Sequence, residues 1–131
     1  MQTRTTTKIE FNAEFQRALD LMEATRSHLF VTGRAGTGKS TLLNYFQRHT
    51  EKHVAILAPT GVAAVNVGGQ TIHSFCGFKP DVTLQSIRRK RKKDGNSICK
   101  KFDTIVIDEV SMVRADLLDC VDRFLRLNGP T

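Results

Sequence analysis

Residues Gly33 to Ser40 read GRAGTGKS, the spacing G-x-x-x-x-G-K-[ST]. Glycines at these positions let a backbone curl until successive N–H groups and a helix N-terminus face phosphate oxygens. Lys39 then brings a positive charge to the β and γ phosphates, and the Ser40 hydroxyl is a ligand for Mg²⁺. The loop follows a short apolar run and opens a helical pattern, the context this chemistry needs. The competing reading is a glycine-rich turn without a ligand. The pattern favours ATP with Mg²⁺, held by Gly33, Ala35, Gly36, Thr37, Gly38, Lys39, Ser40 and Thr41.

A second group has complementary chemistry. Thr104 to Met112, TIVIDEVSM, is a β-branched run that ends in two acids. At the carboxyl edge of a parallel sheet, where ligands gather, Asp108 can hold Mg²⁺ and Glu109 can orient and deprotonate an attacking water. Two adjacent acids alone more often mark a solvated strand end. After a phosphate loop, the catalytic set becomes Lys39, Asp108 and Glu109, with Ser40 and Asp108 on the metal.

These groups need elements to hold them. Phe15, Ala18, Leu19 and Met22 recur at helical spacing within residues 11–27, with Asn12 as a candidate cap. Three short apolar runs, HLFV, VAILA and TIVI, each precede a loop and a helical pattern, so the chain reads as an α/β parallel sheet with crossover helices. Near the end, Leu117, Leu118, Val121, Phe124 and Leu125 form one stripe. Asp119/Arg123 and Asp122/Arg126 stand as i,i+4 pairs on other faces, and Asn128, Gly129 and Pro130 end the helix. Between Phe78 and Lys101 neither period persists, which predicts an exposed excursion.

Composition narrows the class. The 131 residues are 40% hydrophobic and 25% charged, ordinary for one globular domain or part of one. Residues 1–10 form a polar tail, and residues 11–131 the domain. The tail has no apolar core for a signal peptide, and no run is long enough to span a membrane, so an internal location without membrane partners is expected. Cys76, Cys99 and Cys120, an odd count at wide spacing without a CxxC pair, fit reduced thiols better than a disulfide framework or a zinc site. His49 and His53 have no third ligand nearby and read as a solvated helix end. The net charge of +7 resides in residues 88–101, where eight Lys or Arg stand against one Asp; the rest of the chain is neutral. The basic character belongs to one insert, at about 79–101.

The stretch VAILAPTGVAAVNVGGQTIHSF reads as a buried strand, a break at Pro59, a Thr60 cap, a short Ala/Val helix, a Gly68-Gly69 stop and a second helical start near Thr71. Small residues there let another backbone approach. Thr60, Thr71, His73 and Ser74 offer donors and Phe75 a stacking face, which are parts of a single-strand groove. Close helix packing explains the same residues, and the stretch alone does not decide.

GRAGTGKS, APTGVAAVNVGGQTIHSFCGF and IDEVSMVRADLLDCVD, in this order and at these separations, resemble the Walker A, motif Ia and Walker B blocks of the PIF (petite integration frequency) family of superfamily one DNA helicases. The likeness runs from about Phe11 to about Asn128 and is weak from Val82 to Lys101. It implies a RecA-like P-loop NTPase domain, and DEVSM resembles the branch that translocates 5′ to 3′. Gln16 falls where the family reads adenine. Pro59, Thr60 and Gly61, with Thr71, His73, Ser74 and Phe75, fall where the family contacts single-stranded DNA. The insert, with Arg88, Arg89 and Arg91, falls where a small subdomain meets a duplex junction.

The resemblance also implies a motif III strand and a second RecA-like domain with arginine fingers, neither of which these residues contain. The RecA-like domain is thus incomplete and its C-terminal partner domain missing, and the chain reads as an N-terminal fragment of a helicase with little turnover of its own. Its expected location is cytoplasmic and nucleoid-associated in a bacterium, nuclear or mitochondrial in a eukaryote. Two readings from other classes stay open: a nucleic-acid-binding remnant without ATPase activity, and another P-loop phosphotransferase.

Overall fold

Apolar spacing shapes the elements at both ends of the chain. The structure, a computed structural model, describes residues 13–32, 38–88 and 100–129. It divides into two compact units, residues 1–51 and 52–131.

In the first unit the expected helical stripe forms. Helix α1, Ala13–Ala24, buries Leu19 and half-buries Phe15, Ala18 and Met22. Helix α2, Lys39–His49, buries Leu42 and Phe46, one turn apart. The Phe15 and Tyr45 rings meet edge to face at 6.2 Å. The Glu23 carboxylate accepts from the Thr50 hydroxyl and, at 3.2 Å, from the Glu51 amide, which ties the end of α1 to the end of α2. Asn12, the expected cap, lies outside the described residues.

The run HLFV departs from expectation. Residues 25–32 take no strand conformation, and Leu29, Phe30 and Val31 are 40%, 74% and 39% exposed. A strand is held by ladder bonds from its neighbour.

The second unit holds a three-stranded parallel sheet. Strand β1, Val54–Ala58, lies between β2, Gln70–Thr71, and β3, Thr104–Ile107. All but the first residue of β1 are buried, as a central parallel strand requires. Helix α3, Gly61–Val67, connects β1 to β2, and α4, Ile72–Cys76, follows at once. The third strand of the sheet is therefore β2 rather than HLFV. Its two residues carry no strand signature of their own; pairing to Leu57 and Ala58 makes them one. Gly69 makes that approach possible, because a Cβ there would stand 2.2 Å from the Ile56 carbonyl oxygen.

Helix α5, Ala115–Asn128, closes the unit. Its buried face is Cys120, Val121, Phe124 and Asn128, with Leu117 and Leu125 half-buried. Leu118 is 41% exposed, so the stripe is turned from the expected one. The helix faces the core along the line of Leu117, Val121, Phe124 and Asn128, which leaves Leu118 one step, about 100°, off its axis. Of the expected ion pairs, Asp122–Arg126 closes at 2.9 Å.

The core joins Leu57, Ile72, Cys76, Ile87, Cys120, Val121 and Phe124, and the Phe78 ring meets Phe124 edge to face at 5.6 Å. Burying a side chain such as Phe124 contributes about 1.5–3 kcal/mol. The predicted exposed excursion is thus corrected at its start. Residues 78–88 lie against the core through Phe78, Val82 and Ile87, and a 3-10 turn at Leu84–Ser86 leads into Ile87, 5% exposed. Ile87 stands alone among polar neighbours, so no period announces it.

Candidate nucleotide and nucleic-acid site

In the first unit the site begins where α2 begins. Gly38 has φ 96°, a left-handed conformation that favours glycine, and it carries no side chain to cap the helix. The first turn holds no acid, and the first helical bond runs from the Leu42 amide to the Gly38 carbonyl. The amides of Lys39, Ser40 and Thr41 therefore precede the helical ladder, and all three residues are exposed. With the helix dipole behind them, these amides, the Lys39 ammonium and the Ser40 hydroxyl suit a polyphosphate with its Mg²⁺. Gly33, Ala35, Gly36 and Thr37 lie outside the described residues. Gln16 is exposed on α1 and its amide donates to Asp20 at 2.9 Å, so reading a base would mean exchanging that bond.

In the second unit the sheet register aligns the chemistry. Ala58 pairs with Thr71 on one side, and Leu57 with Ile107 on the other. The Asp108 amide extends the ladder, donating to the Leu57 carbonyl at 2.8 Å. Thr71, Ala58 and Asp108 thus end their strands at one level, on the carboxyl edge where parallel sheets bind ligands. Pro59, Thr60 and Gly61 leave from the middle of that edge, His73 and Ser74 from one side, and Glu109 from the other.

Glu109 is exposed and turns away from β3 with φ 55° and ψ 40°. It is the one described residue other than glycine with positive φ. Such a backbone costs a residue with a side chain roughly 1–2 kcal/mol. Its carbonyl accepts from the Met112 amide at 3.0 Å, which starts a 3-10 turn over Val110–Met112. Asp108 stays half-buried at the strand end.

The two threonines serve as helix caps. Thr60 Oγ1 accepts from the Ala63 amide at 3.2 Å, and Thr71 Oγ1 from the Ser74 amide at 3.1 Å. A cap uses an oxygen lone pair and leaves the hydroxyl proton to donate elsewhere, for example to a phosphate oxygen. Ser74 is exposed, and the half-buried His73 ring meets Phe78 edge-on at 6.4 Å. Phe75 is half-buried and packs on the core, with its ring 5.6 Å from Phe102. Arg88 is exposed, while Arg89 and Arg91 lie outside the described residues.

Sequence reasoning missed Asn128 as more than a helix end. It is fully buried, and its amide donates to the carbonyls of Phe124 and Arg88 at 3.1 and 3.2 Å. An asparagine on the apolar face of α5 was the available signal. Among the described residues no group of three His, Cys, Asp or Glu side chains could hold a metal ion, and no helix is long and apolar enough to cross a membrane. A Mg²⁺ shared with phosphate oxygens needs only one or two protein ligands.

The family described as PIF1-like helicase matches residues 10–127. An ATP-dependent DNA helicase Pif1 from Bdellovibrio bacteriovorus is 39% identical over 117 residues, covering 85% of this chain and 26% of that protein. Pif1 from Bacteroides, solved with ADP-AlF3 and single-stranded DNA, superposes with a TM-score of 0.75 at 39% identity, covering 88% of this chain and 27% of that one. A Pif1 structure described as unwinding forked duplex DNA by two coordinating helicases gives 0.76 at 39% identity, with 88% and 28% covered. The chain therefore spans about a quarter of the length of these relatives. With a family match across residues 10–127 and relatives 39% identical over most of its length, this chain belongs to the PIF1-like helicase family.

Proposed function

We propose that the chain is the N-terminal ATP-binding part of a DNA helicase that couples ATP hydrolysis to 5′-to-3′ movement along single-stranded DNA and to duplex unwinding. The observation that carries this reading is the common carboxyl edge of the sheet. There the acidic pair and the motif Ia residues leave neighbouring strand ends, Asp108 beside Ala58.

In this reading Gly33, Ala35, Gly36, Thr37, Gly38 and Thr41 wrap the phosphates. Lys39 offsets their charge, and Gln16 reads the adenine. Ser40 and Asp108 would hold Mg²⁺, which would supply charge neutralisation at the phosphates. Glu109 takes a proton from the attacking water. Thr60 and Thr71 donate their hydroxyl protons to the tracking strand, Pro59 and Gly61 let its backbone approach, and His73 and Ser74 border it. Phe75, turned toward the core, holds α4 in place. A shift at the Glu109 edge reaches Thr60 through the shared ladder of β1 and β3. Arg88, Arg89 and Arg91 meet the duplex. Arginine fingers come from a partner RecA-like domain, and the protein works where the cell keeps its DNA, in nucleoid, nucleus or mitochondrion.

The test is ATP hydrolysis by the full-length protein with and without single-stranded DNA, followed by unwinding of duplexes with a 5′ or a 3′ tail. DNA-stimulated hydrolysis, unwinding from the 5′ tail only, and loss of both in Lys39→Ala support the reading. DNA binding without stimulation would leave the remnant reading, and phosphoryl transfer to a small acceptor the phosphotransferase.

A further inference from the structure

We propose that the outer face of α3, Val62 first and Val65 a turn behind it, packs on the sugars of the tracking strand and selects deoxyribose over ribose; the proposal deepens the helicase reading above and rests on it. Helix α3 turns its alanines inward and two of its three valines outward. Ala64 is buried and Ala63 and Val67 are half-buried, while Val62 and Val65 are 74% and 79% exposed. Three residues apart on a helix, the two valines share a face. Gly61 and Asn66 are exposed as well, and a Cβ at Gly61 would meet nothing within 4 Å, so the face is open at its start. Strand β1 ends at Ala58, and Thr60 caps α3 by accepting from the Ala63 amide. Val62 therefore stands in the first turn, at the carboxyl edge of the sheet, and Val65 about 4.5 Å further along the axis.

Charge limits what can lie on this face. From Ala58 to Phe78 the chain has no Lys, Arg, Asp or Glu. Phosphates are held by cations and by hydrogen-bond donors, and of these the Thr60 hydroxyl offers one while the valines offer none. A strand whose phosphate meets Thr60 turns its uncharged part, the sugar, to Val62. Deoxyribose presents a C2′ methylene to the valine methyls. Ribose carries a hydroxyl there, both donor and acceptor. Against valine that hydroxyl gives up water and gains no partner, so the contact penalises RNA without adding a bond to DNA. A closed apolar pocket rejects an added hydroxyl by about 10²; an open face leaves it partly in water, and about tenfold is expected here.

The test is the affinity of the full-length protein, without nucleotide and across a salt series, for oligodeoxyuridine and oligouridine of equal length, which differ only at the 2′ position. The variants are Val62→Thr, Val62→Ala and Val65→Thr. The unaltered protein is expected to bind the deoxy strand about tenfold more tightly. Val62→Thr keeps the branched shape and supplies a partner for the 2′ hydroxyl, so the ratio falls to within about twofold through tighter binding of the ribo strand. Val62→Ala lowers the ratio from the other side, through weaker binding of the deoxy strand. Val65→Thr changes it less. The salt slopes stay as they are, because no phosphate contact is altered. A ratio near one in the unaltered protein, or a ratio that none of the variants changes, overturns the proposal. Equal weakening on both strands overturns the sugar assignment. If another part of the protein covers the valines, the variants lower the melting temperature and leave the ratio alone, which also overturns it. Binding of neither strand overturns the helicase reading and this proposal with it, whereas tight binding of both strands alike overturns this proposal alone.

Discussion

Glu109 stands in a backbone conformation that its side chain disfavours. Its left-handed conformation turns the chain away from β3 directly after Asp108. Glu109→Gln is expected to lower DNA-stimulated kcat in the full-length protein by about 10²–10⁴ while nucleotide titration shows binding retained, as loss of a general base requires. Glu109→Gly should melt as a protein about 1 kcal/mol more stable than Glu109→Ala, because glycine alone is relieved at φ 55°. Equal stabilities would mean that the turn carries no strain.

Cys120 gives a second prediction at this scale. Burial on α5, assisted by Asp116 and Asp119, pushes its thiol above the ordinary value of 9.0. The folded state then favours the protonated thiol. Its contribution to stability is intact below that value and is lost as pH rises from there through the folded value. Denaturant melts from pH 8 to 10 should show a decline that Cys120→Ala reduces, and a thiol reagent at pH 8 should leave Cys120 unmodified until the protein unfolds.

Among the elements, the β1–α3–β2–α4 segment carries the motif Ia residues, and its geometry comes from two threonine caps and one glycine. Thr60→Ala removes the acceptor for the Ala63 amide and should cost about 1 kcal/mol in stability together with single-strand affinity, while Thr60→Ser keeps both. Loss of stability without loss of affinity would confine Thr60 to capping. The Thr60 cap is legible in the sequence because Thr60 precedes a short helical pattern and a cap is decided within four residues; at Thr71 the sequence shows a helical start, and the structure adds the cap. The exposed run at Leu29–Val31 was not legible, since a strand depends on a partner elsewhere in the chain.

For the whole molecule, the chain spans about a quarter of the length of its relatives. Arginine fingers contribute about 10³–10⁵ to related reactions. Residues 1–131 prepared alone should therefore turn over ATP slowly, with little response to DNA, in a steady-state assay against the full-length protein. Robust DNA-stimulated hydrolysis by the short chain would mean that these residues complete the site themselves.

By itself the sequence determined the local elements and the order of the motifs they carry. GRAGTGKS, the Asp108–Glu109 pair, strands β1 and β3 and the threonine caps depend on residue types at short separation, where backbone geometry and hydrogen bonding act within a turn or a strand. The tertiary structure decided what rests on distant partners. It made a strand of Gln70–Thr71 by pairing and turned α5 so that Leu118 faces out and Asn128 in. It sent Phe75 to the core and joined Asn128 to Arg88. Burial and pairing are properties of neighbours that the chain brings together only when it folds, so no local spacing encodes them.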